Sequence, residues 1–399
     1  MAQPASEPQG EFVFLPVDTV AFGRGALERL PAEVERLGCR RAFIVTTASL
    51  LRERTLLERV ERLLGARHVG TFGSVRQHTP SADVWAAAEQ ARQAVADLIV
   101  SFGGSTVNDC AKLVAYVLGE RTAGIGGLLR CGVEHRGLAV SGNLPPHIAI
   151  TTTLSAGEFT TGASITDEAT RVKGTVSHTA LAPRVVLLDP SVTVATPEWL
   201  WLSSGIKALD HAVERFYSPL HQPLVDALCL EAIRLLARYL PSSRATTEEG
   251  LAARGQCQIA AWLSAFGWAN VRVGLSHILG HQIGGRCGVP HGYTSCITMP
   301  HAIRFVHRWA PDRLAPIAEA LGLRVDERTA GDAVAQAVAR LVADLGLPGR
   351  LREVGVPLEA LDALIDAAMH EVESSEHLRA GLAGEIRRED VARLVRAAW

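Results

Sequence analysis

The chain has 399 residues, enough for two domains with full cores. With 48% hydrophobic residues, 21% charged residues and a net charge of −2, it has an ordinary globular composition, and nothing in its charge argues for nucleic acid or an anionic membrane surface. No apolar run reaches membrane-spanning length, and the 7 cysteines form no CxxC pair, which suits free thiols in a reducing cytosol.

The opening MAQPASEPQGEF lacks a basic-then-apolar signal pattern and is expected to be a short disordered lead over residues 1–11. After it, helical spacing and short apolar runs alternate. ALERLPAEVERLG (26–38) predicts a helix, RAFIVTT (41–47) a strand, LLRERTLLERVERLLG (50–65) a helix and HVGTFGSV (68–75) a strand. SADVWAAAEQARQAV (81–95) predicts a helix, and DLIVSFGGS (97–105) and HIAITTT (147–153) predict strands. VVLLDPSVTVATP (185–197) closes this half. Strands alternating with helices predict a parallel sheet covered on both faces. From about Thr196 onward the pattern turns helical, as in WLWLSSGIKALDHAVERFYS and PLVDALCLEAIRLLARYL. The expected organisation is an α/β domain over 12–194 and an all-helical domain over 195–399.

Two loops in the first half offer chemistry. SFGGSTVNDCAK (101–112) runs from a strand into a helix, so the amides at Gly103 and Gly104 can approach a phosphate at the helix N-terminus, with Thr106 and Asn108 as further donors. It is not the GxGxxG fingerprint, and an ordinary tight turn fits the same residues. TTTLSAGEFTTGASIT (151–166) is rich in small hydroxyl residues, which suits cofactor or substrate contact as well as a plain polar turn.

The histidines carry the stronger signal. His277 and His281 are four apart and share a helix face, His291 follows GVP, and His211 lies on the helix GIKALDHAVE. Imidazoles in such a cluster are the usual ligands of a divalent metal. Four residues before His211, on the same face, stands Lys207, where a metal helix would carry a carboxylate. If His211 points inward, so does Lys207. Asp210 and Glu214 are near enough in sequence to temper its charge, and an exposed ion pair is the plainer alternative.

At these residues the chain resembles the iron-containing (group III) alcohol dehydrogenase superfamily over nearly its whole length. The superfamily's phosphate loop, GGG[ST]xxD, is matched by Gly103, Gly104, Ser105, Thr106 and Asp109, with serine for the third glycine. Its second cofactor loop, TTxxGTGSE, is similar to TTLSAGEFT, with Thr152, Thr153, Ser155 and Glu158. Its metal motif, GxDxxxH followed by HxxxHxxxxxxxxxH, is matched by His211, His277 and His291 as ligands and by His281 as the substrate-facing histidine; Lys207 replaces the aspartate. Loss of that aspartate, the shortened second loop and the HTP at His78, Thr79 and Pro80 are most similar to the maleylacetate reductase branch, whose members work without a metal.

The resemblance implies a dinucleotide-binding α/β domain, a helical catalytic domain and a likeness in fold to dehydroquinate synthases. It also implies a homodimer in the cytoplasm with a small anionic substrate and no nucleic-acid or membrane partner. The implied reaction is NADH- or NADPH-dependent reduction of maleylacetate or a similar oxo-diacid to 3-oxoadipate, in aromatic-compound degradation. Thr47, at the position expected to meet the ribose, neither favours nor repels a 2′-phosphate, so both coenzymes stay open; Lys173 joins the expected cofactor contacts. No catalytic metal is expected, because an ammonium within ~4 Å of a dication is strongly disfavoured. Lys207 and protonatable His211, His277, His281 and His291 would supply the positive field, with His281 or Lys207 delivering the proton and Arg272 and Arg286 as candidates for carboxylate pairing. If a metal is bound, His211, His277 and His291 would hold it, and the protein would be a metal-dependent dehydrogenase of a small alcohol or aldehyde. A binding protein or inactive relative on the same fold is the remaining alternative.

Overall fold

A computed structural model describes residues 10–133, 137–170, 172–375 and 386–399. The first half contains strands β1 (Thr19–Phe22), β2 (Ala42–Val45), β3 (His68–Phe72), β4 (Leu98–Gly103), β5 (His147–Thr151), β6 (Gly162–Asp167), β7 (Val172–Ser177) and β8 (Val185–Leu188). Six of them form one sheet in the order β1-β8-β5-β4-β2-β3, with every pairing parallel. β2, β4, β5 and β8 are buried along their whole length, as expected for strands covered on both faces. The helices between them are α1 (Leu30–Arg36), α2 (Ala48–Arg52), α3 (Arg54–Leu64), α4 (Ser81–Gln93), α5 (Ser105–Gly119) and α6 (Gly126–Val133).

Strand order reverses direction between β2 and β4, and such a switch point opens a crevice at the carboxyl ends of the strands. Thr47 and Gly103–Ser105 lie at those two ends. Thr46 bridges them, donating from Oγ1 to the Phe102 carbonyl at 2.7 Å.

The observed strands are shorter than the apolar runs suggest, for identifiable reasons. After Val45 the chain leaves the sheet because Thr47 caps α2, accepting from the Leu50 amide at 3.4 Å. After Leu188, Asp189 and Pro190 open a 3₁₀ turn over Pro190–Ala195. The helix expected over 26–38 splits into a 3₁₀ turn at Ala26–Arg29 and α1. Strand β1 and the antiparallel β6–β7 hairpin were not expected: β1 has only 4 residues, and β6 begins inside the hydroxyl-rich segment read as a loop.

From Glu198 onward the described residues are helical: α7 (Glu198–Phe216), α8 (Pro223–Tyr239), α9 (Glu248–Ala265), α10 (Leu275–Cys287), α11 (His291–Val306), α12 (Pro311–Ala320), α13 (Glu327–Asp344), α14 (Leu361–Ser374) and α15 (Arg388–Ala398). α7 is buried at every position from Trp201 to Phe216, so it is the central helix and even its polar residues face protein. Its Ser204 hydroxyl accepts the Leu154 amide at 3.0 Å, which joins the helical half to the loop after β5. Of the expected disordered lead, residues 1–9 lie outside the described residues; Glu11 is held by Gln222, whose Nε2 donates to its carbonyl at 3.2 Å. Among the described residues no helix is long and apolar enough to cross a membrane.

Candidate functional site

The two glycines at the end of β4 are required by close approach. A Cβ at Gly104 would lie 2.9 Å from Thr153 Oγ1, and one at Gly103 would lie 2.6 Å from Val107 Cγ2. Gly104 supplies no side-chain cap to α5, which leaves the helix's N-terminal amides to an anion. The second loop is built against this turn. The Thr152 amide donates to the Gly103 carbonyl at 3.1 Å, Thr196 Oγ1 donates to the Thr152 carbonyl at 2.7 Å, and the Thr153 and Ser155 hydroxyls pair at 2.9 Å. Ser105 lies beneath this loop: a Cβ at Gly157 would sit 3.4 Å from its own. These residues fit a dinucleotide phosphate at the β2–β4 crevice. Gly104→Ala is accordingly expected to weaken coenzyme binding about tenfold, since overpacking of this kind costs about 1–3 kcal/mol; a fluorescence titration with NADH and NADPH checks it.

Asn108 is not a phosphate donor. It is buried and turned inward, accepting from Ser101 Oγ at 2.8 Å and donating to Glu158 Oε2 at 3.4 Å, while His147 Nε2 donates to the same serine at 2.7 Å. Sequence reasoning also missed Lys112. It is fully buried and its Nζ donates to the carbonyls of Gly157 (2.7 Å), Thr160 (2.8 Å) and Gly162 (2.8 Å), which pins the second loop to α5. The only available signal was a lysine on the apolar face of DCAKLVAYV.

The four histidines do come together. Ring centroids are 4.7 Å apart for His211 and His277, 5.9 Å for His277 and His291, and 5.2 Å for His281 and His291, which stack at 18°. α7 and α10 bring the first pair together, and α11 starts at His291. Glu214, one helical turn after His211, accepts His277 Nδ1–H at 2.8 Å. It also accepts the amides of Gly274 (2.9 Å) and Ser276 (2.6 Å) and the Tyr217 hydroxyl (3.2 Å), so a side chain of α7 caps α10. Asp210 accepts Ser276 Oγ at 2.8 Å and lies 3.4 Å from His277 Nδ1. The carboxylates therefore serve His277 and do not simply pair with Lys207. His277 Nε2 and His211 Nδ1 are buried with no hydrogen-bond partner.

The charge state of this cluster corrects the expectation of a protonated histidine field. Burial, then the charges of neighbouring lysine and histidine, holds His211 and His291 well below the ordinary imidazole value and brings His277 down to about 3. These three rings are neutral at pH 7. Burial likewise pushes Asp210 and Glu214 up to about 7. The positive charge sits on lysines. Lys207 is buried, and its pKa falls to about 7 through burial and the nearby charge of Lys173, opposed by Asp210 and Asp109. Lys173, on β7, is half-buried and also drawn down by burial; Asp109 acts on both lysines. Lys173 and the phosphate loop's Asp109 are thus close enough to act on the charge of Lys207. His78 lies near the same lysine, on a turn where it and Thr79 adopt positive φ (65° and 51°) and the His78 carbonyl accepts Thr166 Oγ1 at 2.6 Å. Arg272 and Arg286 are exposed, and Arg286 donates to Gln282 Oε1 at 3.2 Å.

The three candidate histidine ligands do not form a ready-made ligand group in this arrangement. Among the described residues the only three or more potential ligand atoms within 4.8 Å of one another belong to Asp210, Glu214 and His277. Glu214 already bonds His277 and the amides at the start of α10, and Asp210 bonds Ser276. Among the described residues His211, His277 and His291 form no group of ligand atoms that close together, and Lys207 precedes His211 by one turn of α7.

Comparison with known proteins adds to this geometry. Residues 17–190 match the family described as iron-containing alcohol dehydrogenase, and residues 201–399 match the Fe-containing alcohol dehydrogenase family, C-terminal. The NAD-dependent methanol dehydrogenase of Bacillus methanolicus is 30% identical over 392 residues, covering 96% of this chain and 99% of its own. Maleylacetate reductase 2 of Cupriavidus pinatubonensis is 35% identical over 314 residues, covering 78% and 79%. The crystal structure of a 1,3-propanediol oxidoreductase superposes with a TM-score of 0.89 at 26% identity, covering 98% of this chain and 100% of that one.

Proposed function

Because the chain belongs to the iron-containing alcohol dehydrogenase family, we propose that it is an NAD(P)H-dependent reductase of maleylacetate or a similar oxo-diacid, acting without a catalytic metal in the degradation of aromatic compounds. The observation that carries this reading is Lys207, a buried lysine on the site's central helix whose charge Lys173 is close enough to affect. A reduced nicotinamide bound at the β2–β4 crevice would supply the hydride. The two lysines receive a substrate carboxylate and stabilise the enolate oxygen that forms as hydride adds to the conjugated double bond. His211, His277 and His291 are neutral and line the site as hydrogen-bonding groups. His281, whose side chain is 44% exposed, is the imidazole open to solvent and delivers the proton that completes the reduction.

A second reading is a metal-dependent dehydrogenase of a small alcohol or aldehyde. It is favoured by the unpartnered His211 Nδ1 and His277 Nε2 and by the methanol dehydrogenase relative. Elemental mass spectrometry of the untagged protein, with maleylacetate turnover before and after chelation, separates the two. The expected result is substoichiometric metal and turnover that survives the chelator. One divalent ion per chain with activity lost to chelation would establish the second reading, and no turnover across a panel of carbonyl compounds would point to a binding protein.

A further inference from the structure

His281 projects from α10 with a half-exposed ring, and a proton donor in that setting needs its imidazole held. We infer that Glu371, on α14, is the positioning residue that orients His281; this rests on the proton-donor role given to His281 above. Leu275, Ile278, Leu279 and Ile283 of α10 share one buried core with Leu364, Ile365, Ala368 and Val372 of α14, so the two helices are fixed against each other. At the end of that seam Glu371 Oε1 lies 3.3 Å from His281 Nδ1, and Oε2 accepts Gln282 Nε2 at 2.7 Å. Gln282 is held in turn by Arg286 Nε, at 3.2 Å from its Oε1. The Glu371 carbonyl accepts the hydroxyls of Ser374 (3.0 Å) and Ser375 (2.7 Å), which closes the last turn of α14.

Both carboxylate oxygens are thus engaged with α10, and the carboxylate plane is set. A carboxylate only accepts, so His281 carries a hydrogen on Nδ1 when paired. Nε2, on the opposite edge of the ring, is left as the atom that exchanges a proton with substrate. The ring's second face is fixed by stacking on His291. A histidine used as an acid or base commonly depends on such a partner for tautomer and orientation.

The test uses the full-length protein and the variants Glu371→Ala, Glu371→Asp, His281→Ala and the Glu371→Ala/His281→Ala double. Glu371→Ala is expected to lower kcat for maleylacetate about 10- to 100-fold, as loss of an orienting partner does, with the coenzyme KM unchanged. Glu371→Asp should recover most of that loss, and the double variant should be no slower than His281→Ala alone. A wild-type kcat in Glu371→Ala, or a full additional loss in the double variant, overturns the inference. Long-range ¹H–¹⁵N spectra of histidine-labelled protein give an activity-independent readout, with the His281 signal identified by its loss in His281→Ala. The Nδ1–H tautomer should dominate in wild type and give way to a mixture in Glu371→Ala; an unchanged spectrum also overturns the pairing. If His281→Ala keeps full kcat, the proton-donor reading fails, and the spectrum still decides whether Glu371 orients the ring.

Discussion

Replacing Lys207 with methionine is expected to lower kcat/KM for maleylacetate about 100- to 1000-fold, the loss typical when a preorganised charge is removed from a developing oxyanion. Stability should hold or rise, because methionine fills a similar volume and removes a buried charge that Lys173 opposes. The pH profile gives the signature. The Lys207 pKa is drawn down to about 7 by burial and by Lys173, so the ammonium is lost as pH rises through that value. The wild-type kcat/KM should fall across the same range, and that limb should be missing from Lys207→Met. An unchanged profile would remove Lys207 from the mechanism. Lys207→Asp is the complementary change: restoring a carboxylate beside His211 and His277 should raise affinity for zinc or iron, read by equilibrium dialysis. A variant that still takes up no metal would show that position 207 does not control the ion.

Glu214→Ala is expected to cost about 2–5 kcal/mol of unfolding free energy, because buried neutral donors left without an acceptor cost about 1–3 kcal/mol each. The deletion leaves the Gly274 and Ser276 amides and His277 Nδ1 without their acceptor at the start of α10. Urea unfolding followed by circular dichroism measures it. Glu214→Gln keeps one acceptor oxygen and should lose less. A midpoint shift below that expected for about 1 kcal/mol, the scale of a single exposed hydrogen bond, would mean that Glu214 does not hold this end of the helix.

Much of the architecture is written in local pattern. The apolar runs that became β2, β4, β5 and β8 are buried on both faces, and a strand of that kind needs no partner to be recognised. The glycine pair of the phosphate turn was legible from its place between a strand and a helix, and the structure adds that Thr153 and Val107 come too close for any Cβ there. The four-residue spacings Lys207–His211 and His277–His281 placed each pair on one helix face, and a period of 3.6 requires that whatever surrounds the helix. β1 and the β6–β7 hairpin escaped notice because 4 residues, or an alternation of small hydroxyl side chains, carry little periodic signal.

What the sequence by itself determined is therefore the long elements, the core strands, and the helix faces that carry Lys207 with His211 and His277 with His281. Only the tertiary structure decided their chemistry. Glu214 meets His277 across 63 residues and Glu371 meets His281 across 90, distances over which no local spacing operates. Asn108, read as facing a ligand, turns into the core because Ser101 and Glu158 converge there from other segments. The neutrality of His211, His277 and His291 and the fall of the Lys207 pKa to about 7 follow from burial and from neighbouring charges. A side chain's proton affinity is a property of what is packed around it, and that exists only once distant segments have folded together.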